Sequence, residues 1–123
     1  MLTTVKYVGF LLITVLTMGV IHEFGHWFTA RVFFGRRLCF SFWIGDYGIP
    51  RYVWGMPFME KWKQRVVAAA GFTTELVFAV LINVACDWRN GYALLFLGAG
   101  IAHLAAYPIY TKDSVYSDFH WFK

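Results

Sequence analysis

The chain has 123 residues, 59% hydrophobic, 21% aromatic and only 15% charged, with a mean hydropathy of +0.54. Soluble domains hold about 45–50% apolar and about 25% charged residues, so an ordinary water-soluble globule is excluded, as are a disordered chain and a disulfide-stapled one. The formal net charge of +4 fits basic residues retained on one side of a membrane better than it fits a nucleic-acid partner, and the length suits a single membrane-embedded domain, residues 1–123.

Three segments are long and apolar enough to span a bilayer, which takes about 20 residues at roughly 1.5 Å rise each. The first covers about residues 5–34 and is uncharged from Tyr7 through Ile21 before it meets His22, Glu23, His26 and Arg31. It is too long for a signal peptide and lacks a small-residue cleavage site, so it reads as an anchor. In the connection that follows, Leu38, Phe40, Phe42 and Ile44 alternate with Arg37, Cys39, Ser41 and Trp43. This period-two pattern, the turn formers Gly45, Asp46, Gly48 and Pro50, and the run Arg51 to Trp54 predict an aromatic β-hairpin at the membrane interface. The simpler alternative is an aromatic belt that anchors the loop at headgroup level. The second span, about 66–86, is apolar except for Thr73, Thr74, Glu75 and Asn83; the third, about 91–110, is interrupted by His103 and Pro108. The expected fold class is therefore all-α integral membrane, three transmembrane helices with an interfacial hairpin between the first two.

Seven of the Lys and Arg residues fall at the end of span one or between it and span two: Arg31, Arg36, Arg37, Arg51, Lys61, Lys63 and Arg65. The positive-inside rule then puts that loop and the C-terminus in the cytoplasm and the N-terminus outside. The default location is a prokaryotic cytoplasmic membrane.

His22-Glu23-Phe24-Gly25-His26 is an H-E-x-x-H pattern on a helix. The i, i+4 spacing sets both imidazoles on one face, one turn apart, where they can share a Zn²⁺ ion while Glu23 sits beside the open position as general base. Ionisable groups inside a span cost a few kcal/mol each and are usually functional. Three of them at ligand spacing point to a metal site rather than to incidental helix contacts. Catalytic zinc commonly takes three protein ligands. Asp113 and Asp118 both follow the third span on the side toward which His22 and His26 lie, so either carboxylate can supply the third. His103 sits deeper and is a weaker candidate, better suited to a hydrogen bond with a neighbouring helix.

These residues resemble the site-2 protease family of intramembrane zinc metalloproteases, over most of the chain. The first span looks like the family's motif helix. Lys63-Gln64-Arg65-Val66-Val67-Ala68-Ala69-Ala70-Gly71 is similar to the basic, alanine-rich start of its next helix, which continues G-P-x-x-N. Ala105-Ala106-Tyr107-Pro108-Ile109-Tyr110-Thr111-Lys112-Asp113-Ser114 keeps the first Pro and the Asp of the family's N-x-x-P-x-P-x-x-D-G. That register implies Asp113 as third zinc ligand. Ala105, Tyr110 and Ser114 depart from the family's Asn, Pro and Gly, and Phe72 and Glu75 stand at the Pro and Asn of G-P-x-x-N. Ser117-Asp118-Phe119 is the alternative counterpart of the Asp-Gly pair, with Asp118 as ligand.

Gly71, Glu75, Ala79 and Asn83 recur every four residues and form a small, polar stripe suited to close helix contact. Glu75 lies about 15 Å into its span by helical rise, at a depth comparable with His22. It is either a packing carboxylate or, with His103, a group that orients a ligand imidazole. The expected activity is zinc-dependent hydrolysis of peptide bonds in or near membrane-spanning proteins or peptides. Its partners would be such a substrate and the lipid bilayer, with no nucleic acid. The alternative is a catalytically degenerate homologue that serves as a membrane scaffold or binding subunit.

Overall fold

A computed structural model describes residues 1–35, 59–110 and 118–122. Helix α1, Leu2–Phe28, runs on into a π-helical turn, Thr29–Phe33. Helix α2 is Lys61–Ala85 and helix α3 Gly91–Tyr110, and a 3₁₀ turn, Asp118–Phe122, closes the described chain. The segments Leu2–Phe33, Lys61–Ala85 and Gly91–Ile109 are each long and apolar enough to cross a membrane. The predicted hairpin lies outside the described residues, and among those described there is no strand. Helix α2 begins five residues before the apolar run at Val66, because Lys61, Lys63 and Arg65 are good helix formers. Glu60 has extended backbone at its start and accepts a hydrogen bond from Trp62 Nε1 at 2.6 Å.

The α2–α3 connection is tight. Asp87 and Trp88 adopt φ of 50° and 58°, a left-handed conformation that costs non-glycine residues roughly 1–2 kcal/mol each. The Trp88 N–H bonds to the Asn83 carbonyl at 2.8 Å. Asn90 Oδ1 then caps α3, accepting the N–H groups of Tyr92 at 2.9 Å and Ala93 at 3.2 Å. Asn83, fully buried, crosses between the helices by donating from Nδ2 to the Ala93 carbonyl at 2.7 Å. These bonds make α2 and α3 an antiparallel pair.

Helix α2 packs against both α1 and α3, and the whole stripe of Gly71, Glu75, Ala79 and Asn83 is buried. Two apolar clusters bracket the interior. Met18, Ala79 and Phe96 form one; Ala30, Met59, Val67 and Ala68, covered by Phe34 and Trp121, form the other. Between them lie buried His22, Glu23, His26, Glu75 and Asp118. Large apolar side chains such as Leu12, Ile13, Leu16, Leu81, Val84, Leu94 and Ile101 face outward. A polar interior inside an apolar surface is compatible with a membrane protein.

Helices α1 and α2 cross where Gly25 removes the obstacle. A Cβ there would meet Thr74 Oγ1 and stand 2.5 Å from the Ala70 carbonyl oxygen, a main-chain atom that moves only with the helix. Overpacking of this kind typically costs about 1–3 kcal/mol. Gly25→Ala is expected to destabilise the helical bundle by that order, read as a lower midpoint of thermal unfolding in detergent.

Candidate metal centre

The H-E-x-x-H spacing places His22 and His26 on the face of α1 that meets α2, with ring centroids 4.7 Å apart and planes nearly perpendicular. Each ring is held through Nδ1. His22 Nδ1–H donates to Glu75 Oε1 at 2.8 Å, and His26 Nδ1–H donates to the Val67 carbonyl at 2.7 Å. In both cases the acceptor belongs to α2, so a single helix fixes both rings. Pinning Nδ1 leaves Nε2 as the nitrogen turned toward the interior, the arrangement in which a histidine presents one nitrogen to a metal and anchors the other.

The two Nε2 atoms converge beside Gly71. A Cβ on that residue would lie 2.6 Å from each of them, so only glycine leaves the space open. Asp118 comes to the same place from the far end of the chain. Its Oδ2 is 2.8 Å from His22 Nε2 and its Oδ1 is 3.2 Å from His26 Nε2. A tetrahedral ion with bonds of about 2.0–2.1 Å keeps its donors about 3.3 Å apart. The His26 contact already has that spacing, and the His22 contact needs about half an ångström of opening. Two imidazoles, one carboxylate and a cradle that a methyl group would fill therefore suit a divalent cation. The ligand atoms of His22, Glu23 and His26 also lie within 4.8 Å of one another, which brings Glu23 beside the same position. Glu23 is itself buried, 8% exposed.

The 3₁₀ turn is docked by aromatic side chains. Phe119 packs between Phe72 and Tyr107, with centroids 6.0 and 5.8 Å away, and the Asp118 N–H bonds to the Tyr107 hydroxyl at 3.3 Å. Phe72 also presses edge-on against His22, 4.6 Å between centroids. Asp118 is 1% exposed. Burial pushes its carboxyl up, but the His26 and His22 imidazoles more than offset this and hold it below the usual carboxylate range.

Of the residues singled out in the sequence, His22, Glu23, His26, Glu75, His103 and Asp118 are brought together here. Asp113, the ligand implied by the family register, lies outside the described residues, and it is the alternative, Asp118, that meets both imidazoles. Glu75 is completely buried and bonds through its second oxygen to His103 Nδ1 at 3.2 Å. Sequence reasoning missed the Val67 carbonyl, the space at Gly71 and the Phe72–Tyr107–Phe119 dock. The only signal for these was the place of Gly71 in the four-residue stripe.

Asp118→Asn is expected to weaken divalent-cation binding by this cluster more than about 100-fold, since loss of a ligand should exceed the 10–100-fold typical of a group that merely supports one. Asp113→Asn should leave binding within about threefold of the parent, and a zinc titration of the two purified variants separates them. Compared with protein-family models, with curated proteins and with solved structures, the chain finds no match.

Proposed function

We propose that the protein is an intramembrane zinc metalloprotease that hydrolyses peptide bonds in or near membrane-spanning substrates. The reading is supported above all by one arrangement: two imidazole Nε2 atoms and the Asp118 carboxylate facing one another beside Glu23, within helices apolar enough to cross a membrane. The resemblance of the motif helix to the site-2 protease family adds to it.

His22, His26 and Asp118 would hold the ion. Zinc bound there supplies Lewis acidity, polarising a carbonyl oxygen and letting a water ionise near neutral pH. The Glu23 carboxylate takes a proton from the attacking water as its oxygen adds to the peptide carbonyl, and returns it to the departing amine nitrogen. Glu75 and Val67 keep the two rings turned inward through the cycle. Water reaches the site through a polar cleft between helices, because the hydrocarbon core holds none. The substrate helix unwinds locally to expose its carbonyl, and the aromatic segment 38–54 holds it extended. With the basic loop and the C-terminus in the cytoplasm, the site faces that side of a prokaryotic cytoplasmic membrane.

A second reading rests on the same distances. Asp118 bonds directly to His22 Nε2 at 2.8 Å, so the polar cluster can satisfy itself without an ion, as a scaffold or binding subunit would require. The two readings part on metal removal. Purified protein in lipid vesicles should cleave a membrane-spanning test substrate, lose activity on chelation and regain it with zinc. A protein that neither holds zinc nor cleaves supports the scaffold.

A further inference from the structure

We propose that His103 is a positioning residue for the metal centre, acting on His22 through Glu75. This rests on the reading that His22, His26 and Asp118 hold a metal ion, and it assigns to α3 a part in setting how tightly they do so.

The geometry is a line of three groups from three different helices. His103 on α3 donates from Nδ1 to Glu75 Oε2 at 3.2 Å, and Glu75 on α2 accepts from His22 Nδ1 through Oε1 at 2.8 Å. Each carboxylate oxygen thus has its own imidazole. Glu75 is 0% exposed, and a carboxylate removed from water is tolerated only when its oxygens are bonded. The last torsion of a glutamate side chain is broad and roughly two-fold. One bond to His22 would leave the carboxylate plane free to turn about that contact. The second bond fixes the plane, and with it the direction of the Oε1 lone pair that aligns the His22 ring. Phe72 packs against both ends of the assembly, its ring 4.6 Å from that of His22 and 5.1 Å from that of His103.

The same atoms could be taken for a second metal site, since His22, Glu75 and His103 offer ligand atoms within 4.8 Å of one another. The pairing argues otherwise. Both Nδ1 atoms are already directed at separate oxygens of one carboxylate at hydrogen-bond length, which satisfies the donors and the anion without an ion. His103 is not one of the proposed ligands His22, His26 and Asp118, so its removal takes no donor from the proposed metal. Its effect must travel through Glu75.

The test uses full-length protein in detergent micelles, with zinc affinity from competition titration and the visible absorption of bound Co²⁺ as a report on ligand geometry. His103→Leu keeps an apolar side chain on α3 but has no N–H, and should weaken zinc by about 10–100-fold while shifting the Co²⁺ bands. His103→Asn puts an amide N–H near the position of Nδ1 and should return affinity to within about threefold and restore the bands. In a Glu75→Gln background the cost of His103→Leu should largely vanish, because a relay is non-additive. Wild-type affinity and an unchanged spectrum in His103→Leu would overturn the proposal, as would full additivity with Glu75→Gln. Two metal ions in the wild type and one in His103→Leu would make His103 a ligand, which also overturns it. Wild-type protein that binds no metal would instead sink the metal centre itself. Should His103→Leu fail to fold, His103→Asn and Glu75→Gln still decide: wild-type behaviour is required of the first and weakened zinc of the second.

Discussion

Glu23→Gln is expected to keep its zinc and lose its cleavage. The side chain is on the same turn of α1 as the two imidazoles, and its carboxylate shares their 4.8 Å neighbourhood. Among the described residues no hydrogen bond or ion pair engages it, so it is not committed to holding the bundle together. Glutamine matches its shape and leaves His22, His26 and Asp118 as they are, but its amide cannot take a proton from water. General-base catalysis contributes about 10²–10⁴-fold, and the turnover number should fall by that factor with zinc content unchanged. Measuring bound zinc and initial cleavage rate on the same preparation checks both halves. Undiminished cleavage would remove Glu23 from the mechanism, and loss of zinc would make it a ligand.

Gly71→Ala should have the opposite signature to Gly25→Ala, although both glycines lie at the α1–α2 crossing. At Gly25 an added Cβ meets backbone and a threonine on the facing helix, and the cost falls on stability. At Gly71 it meets two ring nitrogens 2.6 Å away. Contacts that short are untenable, and the rings must turn aside, so the methyl group occupies the space the metal requires. Zinc binding is expected to fall more than about 100-fold, beyond the range seen for supporting residues, with a smaller change in the unfolding midpoint than Gly25→Ala produces. Equal zinc affinity in Gly71→Ala and wild type would mean that the ion, if present, sits elsewhere.

These two glycines also show what can be read from a chain of this kind. The three helices were legible because about 20 apolar residues in a row admit few other structures. His22, Glu23 and His26 were legible because a helix turns a spacing of four into a shared face. The stripe from Gly71 to Asn83 obeyed the same rule, and helical rise alone put Glu75 at a depth comparable with His22. The rest depends on long-range return of the chain. Asp118 reaches the site by a turn docked between Phe72 and Tyr107, and no local pattern marks such a turn; Asp113, which the resemblance implies, lies outside the described residues. The anchor for His26 is the carbonyl of Val67, a main-chain atom that every residue carries and no sequence motif announces. Phe72, which departs from the family's proline, leaves α2 continuous and gains a place against the His22 ring.

The central claim is that His22, His26 and Asp118 together grip one divalent ion. Zinc-edge X-ray absorption on the purified wild-type protein, with the metal content of the same sample, addresses it most directly. The account expects about one zinc per chain, with imidazole nitrogens and a carboxylate oxygen at about 2.0–2.2 Å and no sulfur. A protein that carries no zinc and takes none up, or one whose zinc survives intact in His22→Ala and Asp118→Asn, would contradict it.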